Sequence, residues 1–286
     1  MCLTGDRVSR KSLEGDGMEQ KILAEIMHNM RVKTYPDGSQ VVTVADRPIF
    51  REPGWELADK WEAERRGPTA EREGKAEDLE RARRRARAAV ADLGRANRFR
   101  YFVTLTLDAA KIDRRDEGIT VRELRRWLSH QVQRRGLVYV LVPERHKDGA
   151  IHFHGLVNDA LELADSGTVK RAGGGKPRKP RSRAEKAAWI AEGGQVVYNA
   201  PGWKYGFSTA LELSGDYHKA VAYVCKYIGK DSEKIGGRWY YSGGDLKRPE
   251  AAYSDADYEA LRAECGGHEY RIDRLGVRCM NIDMEG

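Results

Sequence analysis

The sequence predicts an α+β fold, an antiparallel sheet with helices packed on one face. Three observations carry this. Short runs of alternating side chains recur between Tyr101 and Leu213, amphipathic helical runs separate them, and the order of elements is β-α-β-β-(insertion)-β-α. Strands that follow one another through short turns, with helices between, make a layered architecture of this class.

The 286 residues are enough for one substantial core or two modest domains. With 40% hydrophobic and 33% charged residues, the chain reads as globular with solvated segments attached. Its formal charge of +7 favours an acidic partner, with nucleic acid first and anionic membrane second. Cys2, Cys225, Cys265 and Cys279 form no C-x-x-C pair, which fits a reducing, cytoplasmic setting. Cys265, His268 and Cys279 lack the second paired element of a zinc site. No run reaches transmembrane length, and the polar N-terminus lacks the apolar core of a signal peptide, so no membrane partner is expected.

Residues 1 to about 20 read as disordered, and "SQVVTVADRPIF" (Ser39 to Phe50) holds a short strand after a PDG turn. From Trp55 to about Asn97 the chain is helical and charged, with a break at Gly67-Pro68. Residues 1–97 are therefore expected to form an N-terminal arm. In "YFVTLTLD", Tyr101, Val103, Leu105 and Leu107 share one face of a strand, with Phe102, Thr104, Thr106 and Asp108 on the other. A helix follows. Thr120 and Glu123 have capping-box spacing, Leu124, Trp127, Leu128 and Val132 form its apolar face, and Gly136 closes it. "LVYVLVPE" and "AIHFHGLV" are strands joined by a turn at Asp148-Gly149. A basic insertion rich in Gly and Pro, about residues 158–200, reads as mobile, with a short helix at "AEKAAWIAEG". A strand at Tyr205 to Leu213 and an amphipathic helix at Ser214 to Lys230, capped by Ser214 or Asp216, complete a core domain of residues 98–245. Residues 246–286 read as a C-terminal tail with a short helix from Asp255 to Glu264.

The chemistry starts at "IHFHGLV". Strand alternation puts His152 and His154 on one face and Phe153 on the other. If Lys147, Asp148 and Gly149 form a three-residue loop, Glu144 falls opposite His152 and joins the same face. A two-residue loop would send it to the other face. Two imidazoles and one carboxylate suit Mg²⁺ or Mn²⁺, and would also take Zn²⁺ or Co²⁺. A histidine-triad hydrolase would need histidine where Leu156 stands, and a cupin-type site would place its glutamate after the histidine pair.

In "AVAYVCKYIGK", Tyr223 and Tyr227 share a helix face, Lys226 and Lys230 repeat that offset beside them, and Val221, Val224 and Ile228 form an apolar stripe. A phenol titrates near 10, so as a nucleophile it needs a neighbouring cation. Attack on a DNA phosphate would leave a phosphotyrosine and a free 3′-OH without ATP. Consistent with that, no P-loop occurs.

With these residues assembled, the sequence resembles the HUH endonucleases, and among them the rolling-circle replication initiators of small plasmids and single-stranded DNA phages. "FVTLTLD", "ERHKDGAIHFHGLV" and "YVCKYIGK" match that group's three motifs in order, from about Phe99 to Asp231. The resemblance implies a core like the RNA-recognition motif. It implies a metal-dependent nickase with Glu144, His152 and His154 as ligands of Mg²⁺ or Mn²⁺, and Tyr227, Tyr223, Lys230 and Lys226 as the catalytic set. The implied partners are single-stranded or hairpin origin DNA, a host helicase and a host polymerase. Single-tyrosine relatives align best with Tyr227 and Lys230, whereas Tyr223 is a feature of phage-type members with two tyrosines. Lys170, Arg171, Lys176, Arg178, Lys179, Arg181 and Arg183 are expected to contact phosphates. The alternatives are a single-strand transposase or relaxase of the same chemistry, and a non-catalytic basic DNA-binding protein.

Overall fold

A computed structural model describes residues 27–51, 71–214, 217–228, 234–272 and 275–284. The first strands are Met27–His28 (β1), Met30–Thr34 (β2), Gln40–Ala45 (β3) and Phe50–Arg51 (β4). Glu71–Ala96 (α1), Tyr101–Leu107 (β5), Glu117–Arg135 (α2), Tyr139–Arg145 (β6) and Ile151–Val157 (β7) follow. Next come Ala164–Lys170 (β8), Arg183–Ala191 (α3), Gln195–Asn199 (β9), Gly206–Glu212 (β10), Tyr217–Tyr227 (α4) and Tyr241–Gly243 (β11). The last are Glu250–Ser254 (β12), Tyr258–Cys265 (α5), His268–Ile272 (β13) and Val277–Met284 (β14). The chain divides into two compact units, residues 68–249 and residues 1–67 with 250–286.

The larger unit is built on a seven-stranded sheet in the order β11-β6-β7-β5-β10-β9-β8, with every neighbour pair antiparallel. Strand alternation gives it two apolar faces. On one, α2 packs Leu124, Trp127 and Leu128 against Val103, Leu105, Ile151 and Phe153. On the other, Val90 and Leu93 of α1 and Val221 and Val224 of α4 pack against Val140, Val142 and Leu156. The α+β class and antiparallel sheet agree with the sequence reading, but helices cover both faces rather than one. The run Val140-Leu141-Val142 already points apolar side chains both ways, as a strand buried on two faces must.

Two local expectations are corrected. Helix α2 starts earlier than the Thr120–Glu123 spacing suggested. Asp116 is its N-cap and accepts from the Ile119 amide at 2.8 Å. Thr120 and Glu123 are instead buried inside the helix. Glu123 accepts from Arg126, from Arg122 at 3.2 Å and from the Tyr205 hydroxyl at 2.7 Å. Gly136 ends the helix as expected, in the left-handed conformation (φ 70°), with its N–H directed to Gln131 and Val132 carbonyls.

The insertion expected to be mobile contains β8, α3 and β9, which extend the sheet beyond β10. Val169 and Arg178 exchange backbone hydrogen bonds at 2.9 and 3.0 Å, fastening the glycine-rich loop to β8. The short helix expected at "AEKAAWIAEG" is α3.

The smaller unit is a five-stranded antiparallel sheet in the order β12-β2-β3-β14-β13. Strand β2 pairs with β12, and β3 with β14, so the expected N-terminal arm and C-terminal tail are two halves of one sheet. Val44, Tyr258 and Met280 are buried on one side of it, and Ala45, Val277 and Cys279 on the other. Asn29 ties the halves together. Its amide donates to the Ala256 carbonyl at 2.7 Å and the Ala45 carbonyl at 3.1 Å, and its side-chain oxygen accepts from the Ala256 N–H at 2.8 Å. The expected disorder of residues 1–20, the helical onset at Trp55, the break at Gly67-Pro68 and the cap at Asp216 lie outside the described residues.

Candidate active site

The β6–β7 hairpin decides the site. The His146 amide bonds to the Ala150 carbonyl at 2.8 Å, and the Gly149 amide to the His146 carbonyl at 2.8 Å. Lys147, Asp148 and Gly149 therefore form a three-residue loop. Gly149 has φ 85°, which a side chain would resist. Glu144 consequently lies directly opposite His152. Glu144, His152 and His154 share the sheet face that α1 and α4 cover.

Strand β5 supports both imidazoles from the other side. Thr104 pairs with His154 and Thr106 with His152. Each threonine hydroxyl is hydrogen-bonded to Nδ1 of its histidine, at 3.0 Å for Thr104–His154 and 3.2 Å for Thr106–His152. With Nδ1 engaged, Nε2 is the nitrogen left for other partners. His154 Nε2 meets Glu144 Oε2 at 2.8 Å. Burial, and after it the neighbouring His146, push His152 below the usual imidazole range, which favours the neutral ligand form.

Helix α4 brings the tyrosines to this face. The Tyr227 ring stacks on His154 with centroids 4.2 Å apart and planes 10° apart. Its hydroxyl donates to the Tyr223 hydroxyl at 2.7 Å. Tyr227 is buried, whereas Tyr223 is 47% exposed and packs edge-on against Phe102 with centroids 5.5 Å apart. Burial, the Tyr223 hydroxyl and then the Glu144 charge push the Tyr227 hydroxyl far above the ordinary phenol range. As it stands, Tyr227 is a protonated phenol.

Three contacts hold α4 in place. Gly94 of α1 faces Val221, where a Cβ would come within 2.5 Å of the valine Cγ1. Arg87 Nε donates to the Ile228 carbonyl at the end of α4 at 2.9 Å. The Tyr217 hydroxyl reaches the Gly94 and Asn97 carbonyls at 2.8 and 2.7 Å. Lys226 is exposed on the same helix. Lys230 lies outside the described residues.

Two imidazoles and a carboxylate are the right donors for a divalent cation, and the threonines fix the imidazoles as second partners do in metal sites. The two imidazole rings are parallel within 5°, with centroids 6.4 Å apart. Among the described residues no group of three His, Cys, Asp or Glu side chains converges on one point. The donor set fits a cation in kind and in sheet face, and its convergence on one ion takes side-chain rotation.

Of the basic set, Lys170 ends β8 half-buried, and Arg171, Lys176, Arg178, Lys179, Arg181 and Arg183 are exposed around the glycine-rich loop. Arg171 lies over the Trp189 ring at 5.4 Å and pairs with Glu192 at 3.2 Å. The sequence reading missed the supporting roles of Thr104 and Thr106. Their alternation in "FVTLTLD" was the available signal, but their partner strand was not.

Residues 100–232 match the model of a family described as replication-associated proteins of the ORF2 type. The matched span is somewhat under half of the chain and lies wholly inside the larger unit. It begins just before β5 and contains Glu144, both histidines and both tyrosines. The family ties this unit to replication. No curated protein and no solved structure matches the chain. No helix among the described residues is long and apolar enough to cross a membrane.

Proposed function

We propose that the chain initiates replication by nicking one DNA strand and retaining the 5′ end as a phosphotyrosine. One observation carries the reading: a tyrosine stacks on a histidine that is paired with a glutamate, inside the span that matches a replication-associated family. Stacking on His154 sets Tyr227 against the candidate ligands, so Tyr227 is assigned the first attack.

In that step the Tyr227 oxygen bonds to the phosphorus, the bond to the 3′ oxygen breaks, and the 3′ oxygen leaves with a proton as a free 3′-OH. The phosphodiester is exchanged rather than hydrolysed, so rejoining needs no ATP. The Tyr227 proton already points at Tyr223, whose exposure gives it a route to water. Lys226 and Lys230 supply positive charge for the developing phenolate or the leaving oxygen. Glu144, His152 and His154 would hold Mg²⁺ or Mn²⁺, which when bound polarises a phosphoryl oxygen. A threonine hydroxyl donates or accepts, so Thr104 and Thr106 can hold their imidazoles in either tautomer. Tyr223 then serves the later transfer that releases a closed circle. A host polymerase extends the 3′-OH while a host helicase unwinds.

The test is incubation with labelled single-stranded and hairpin DNA plus Mn²⁺, followed by a denaturing gel and sequencing of the nicked products. DNA that stays on the protein is the expected result. Binding without attachment would leave the non-catalytic reading. Nicking that persists in EDTA, or in His154→Ala, would remove the role of the metal.

A further inference from the structure

The register across four strands places an unexplained aromatic beside the site. Glu144 of β6 lies opposite His152 of β7, His152 opposite Thr106 of β5, and Thr106 opposite Phe207 of β10. Directly opposed residues project from the same face, so these four form one row across the sheet. Phe207 ends that row two strand spacings from His152, about 10 Å away.

Phe207 is 68% exposed, the most exposed large apolar side chain among the described residues. It does not sit at a sheet edge, because β10 is bonded to β5 on one side and β9 on the other. The exposure comes from the helices. Helices α1 and α4 pack against β6 and β7, and the same face of β10 is left open at Phe207 and Thr209. The opposite face of β10 is covered, with Ala210 buried and Ser208 bonded to the Ala200 amide at 2.8 Å. Phe207 adds little to the core and leaves apolar surface in water.

We propose that Phe207 is a stacking platform for a DNA base flanking the phosphate that Tyr227 attacks. This rests on the function proposed above. Every base has a π-face, and an exposed aromatic on an open sheet surface is how single strands are commonly held. One ring among threonines is too small an apolar surface for a stable protein interface. The row runs directly from the candidate ligands to the ring, so a strand whose phosphate lies at His152 and Tyr227 carries its next bases over β5 toward β10. A base seated on Phe207 would then fix which phosphate faces Tyr227, making Phe207 a positioning residue.

The probe is oligothymidylate carrying one 5-iodouracil, bound to the full chain and irradiated. Cross-linking should map to the peptide that contains Phe207. Phe207→Ala, which removes no core contact, should lose that cross-link and weaken binding about tenfold, as expected for one base–aromatic stack. Phe207→Tyr should restore both. If Phe207→Ala binds as tightly as the wild-type chain and the cross-link maps elsewhere, the platform is wrong while the nicking function stands. A wild-type chain that binds no oligothymidylate would overturn both.

Discussion

The Tyr227 hydroxyl donates a hydrogen bond to the Tyr223 hydroxyl across 2.7 Å. Four residues apart on α4, the two rings meet edge to face with centroids 5.3 Å apart. Tyr227 lies inward on His154 and Tyr223 outward toward solvent. Both oxygens can therefore reach the same phosphate with little movement of either strand or helix, which suits an exchange between two tyrosines better than two separate cutting sites.

The imidazoles depend on their threonines. Thr104→Val and Thr106→Val keep β5's shape but remove the hydroxyl that orients each Nδ1. Loss of such a partner typically costs 10–100-fold in metal affinity. Mn²⁺ titration by calorimetry should show a loss of about that size for either variant, with thermal stability little changed. Unchanged Mn²⁺ affinity in both would mean that these histidines are not its ligands.

The tyrosine helix depends on Gly94. In Gly94→Ala the new methyl would meet Val221 Cγ1 at 2.5 Å and Cγ2 at 2.8 Å, so α1 and α4 must separate. Overpacking of this kind costs about 1–3 kcal/mol. A lowered melting temperature is expected, together with reduced covalent attachment to DNA, because Tyr223 and Tyr227 ride on α4. Gly94→Ala combined with Val221→Ala should recover part of both.

Glu123 sets an acid limit on the larger unit. Hydrogen bonds from Arg126 and Tyr205 hold its carboxyl at about 2, against an ordinary value of about 4.3 in the unfolded chain. Its folded value is depressed, so its stabilisation is complete above about pH 4.3 and is lost as pH falls toward 2. Denaturant titrations at pH 6, 4 and 3 should show stability falling over this range, and less steeply in Glu123→Gln.

The basic loop should act by charge. Neutralising Lys176, Arg178, Lys179 and Arg181, all of them near or on the exposed loop after β8, should weaken DNA binding similarly across sequences. It should also flatten the dependence of affinity on salt, because fewer counterions are released. Loss of sequence preference instead would mean that this loop reads bases.

How far the sequence could be read depended on the range of the signal. The hairpin turn and strand alternation are local, so the three-residue loop and the shared face of Glu144, His152 and His154 followed from spacing alone. The pairing of Tyr227 with His154 was not legible, because it depends on Gly94 and Val221 setting the distance between helices far apart in sequence. The smaller sheet escaped for the same reason. Its halves are separated by the whole larger unit, and β2 and β12 carry few buried side chains to announce a core. The cap at Asp116 was missed because Thr120 and Glu123 have capping-box spacing, while their burial serves packing and the Arg126–Tyr205 cluster.

The central claim is that Tyr227 is the first nucleophile and Tyr223 the second. Tyr227→Phe removes one oxygen and keeps the ring on His154; Tyr223→Phe does the same on the outer side. The deciding measurement is peptide mapping of the covalent DNA adduct formed by the wild-type chain and these two variants with Mn²⁺. The account predicts DNA on the Tyr227 peptide in the wild-type chain, a sharp loss of first adduct in Tyr227→Phe, and nicking without closure in Tyr223→Phe. An adduct that remains undiminished in Tyr227→Phe, or DNA attached to neither tyrosine, would contradict it.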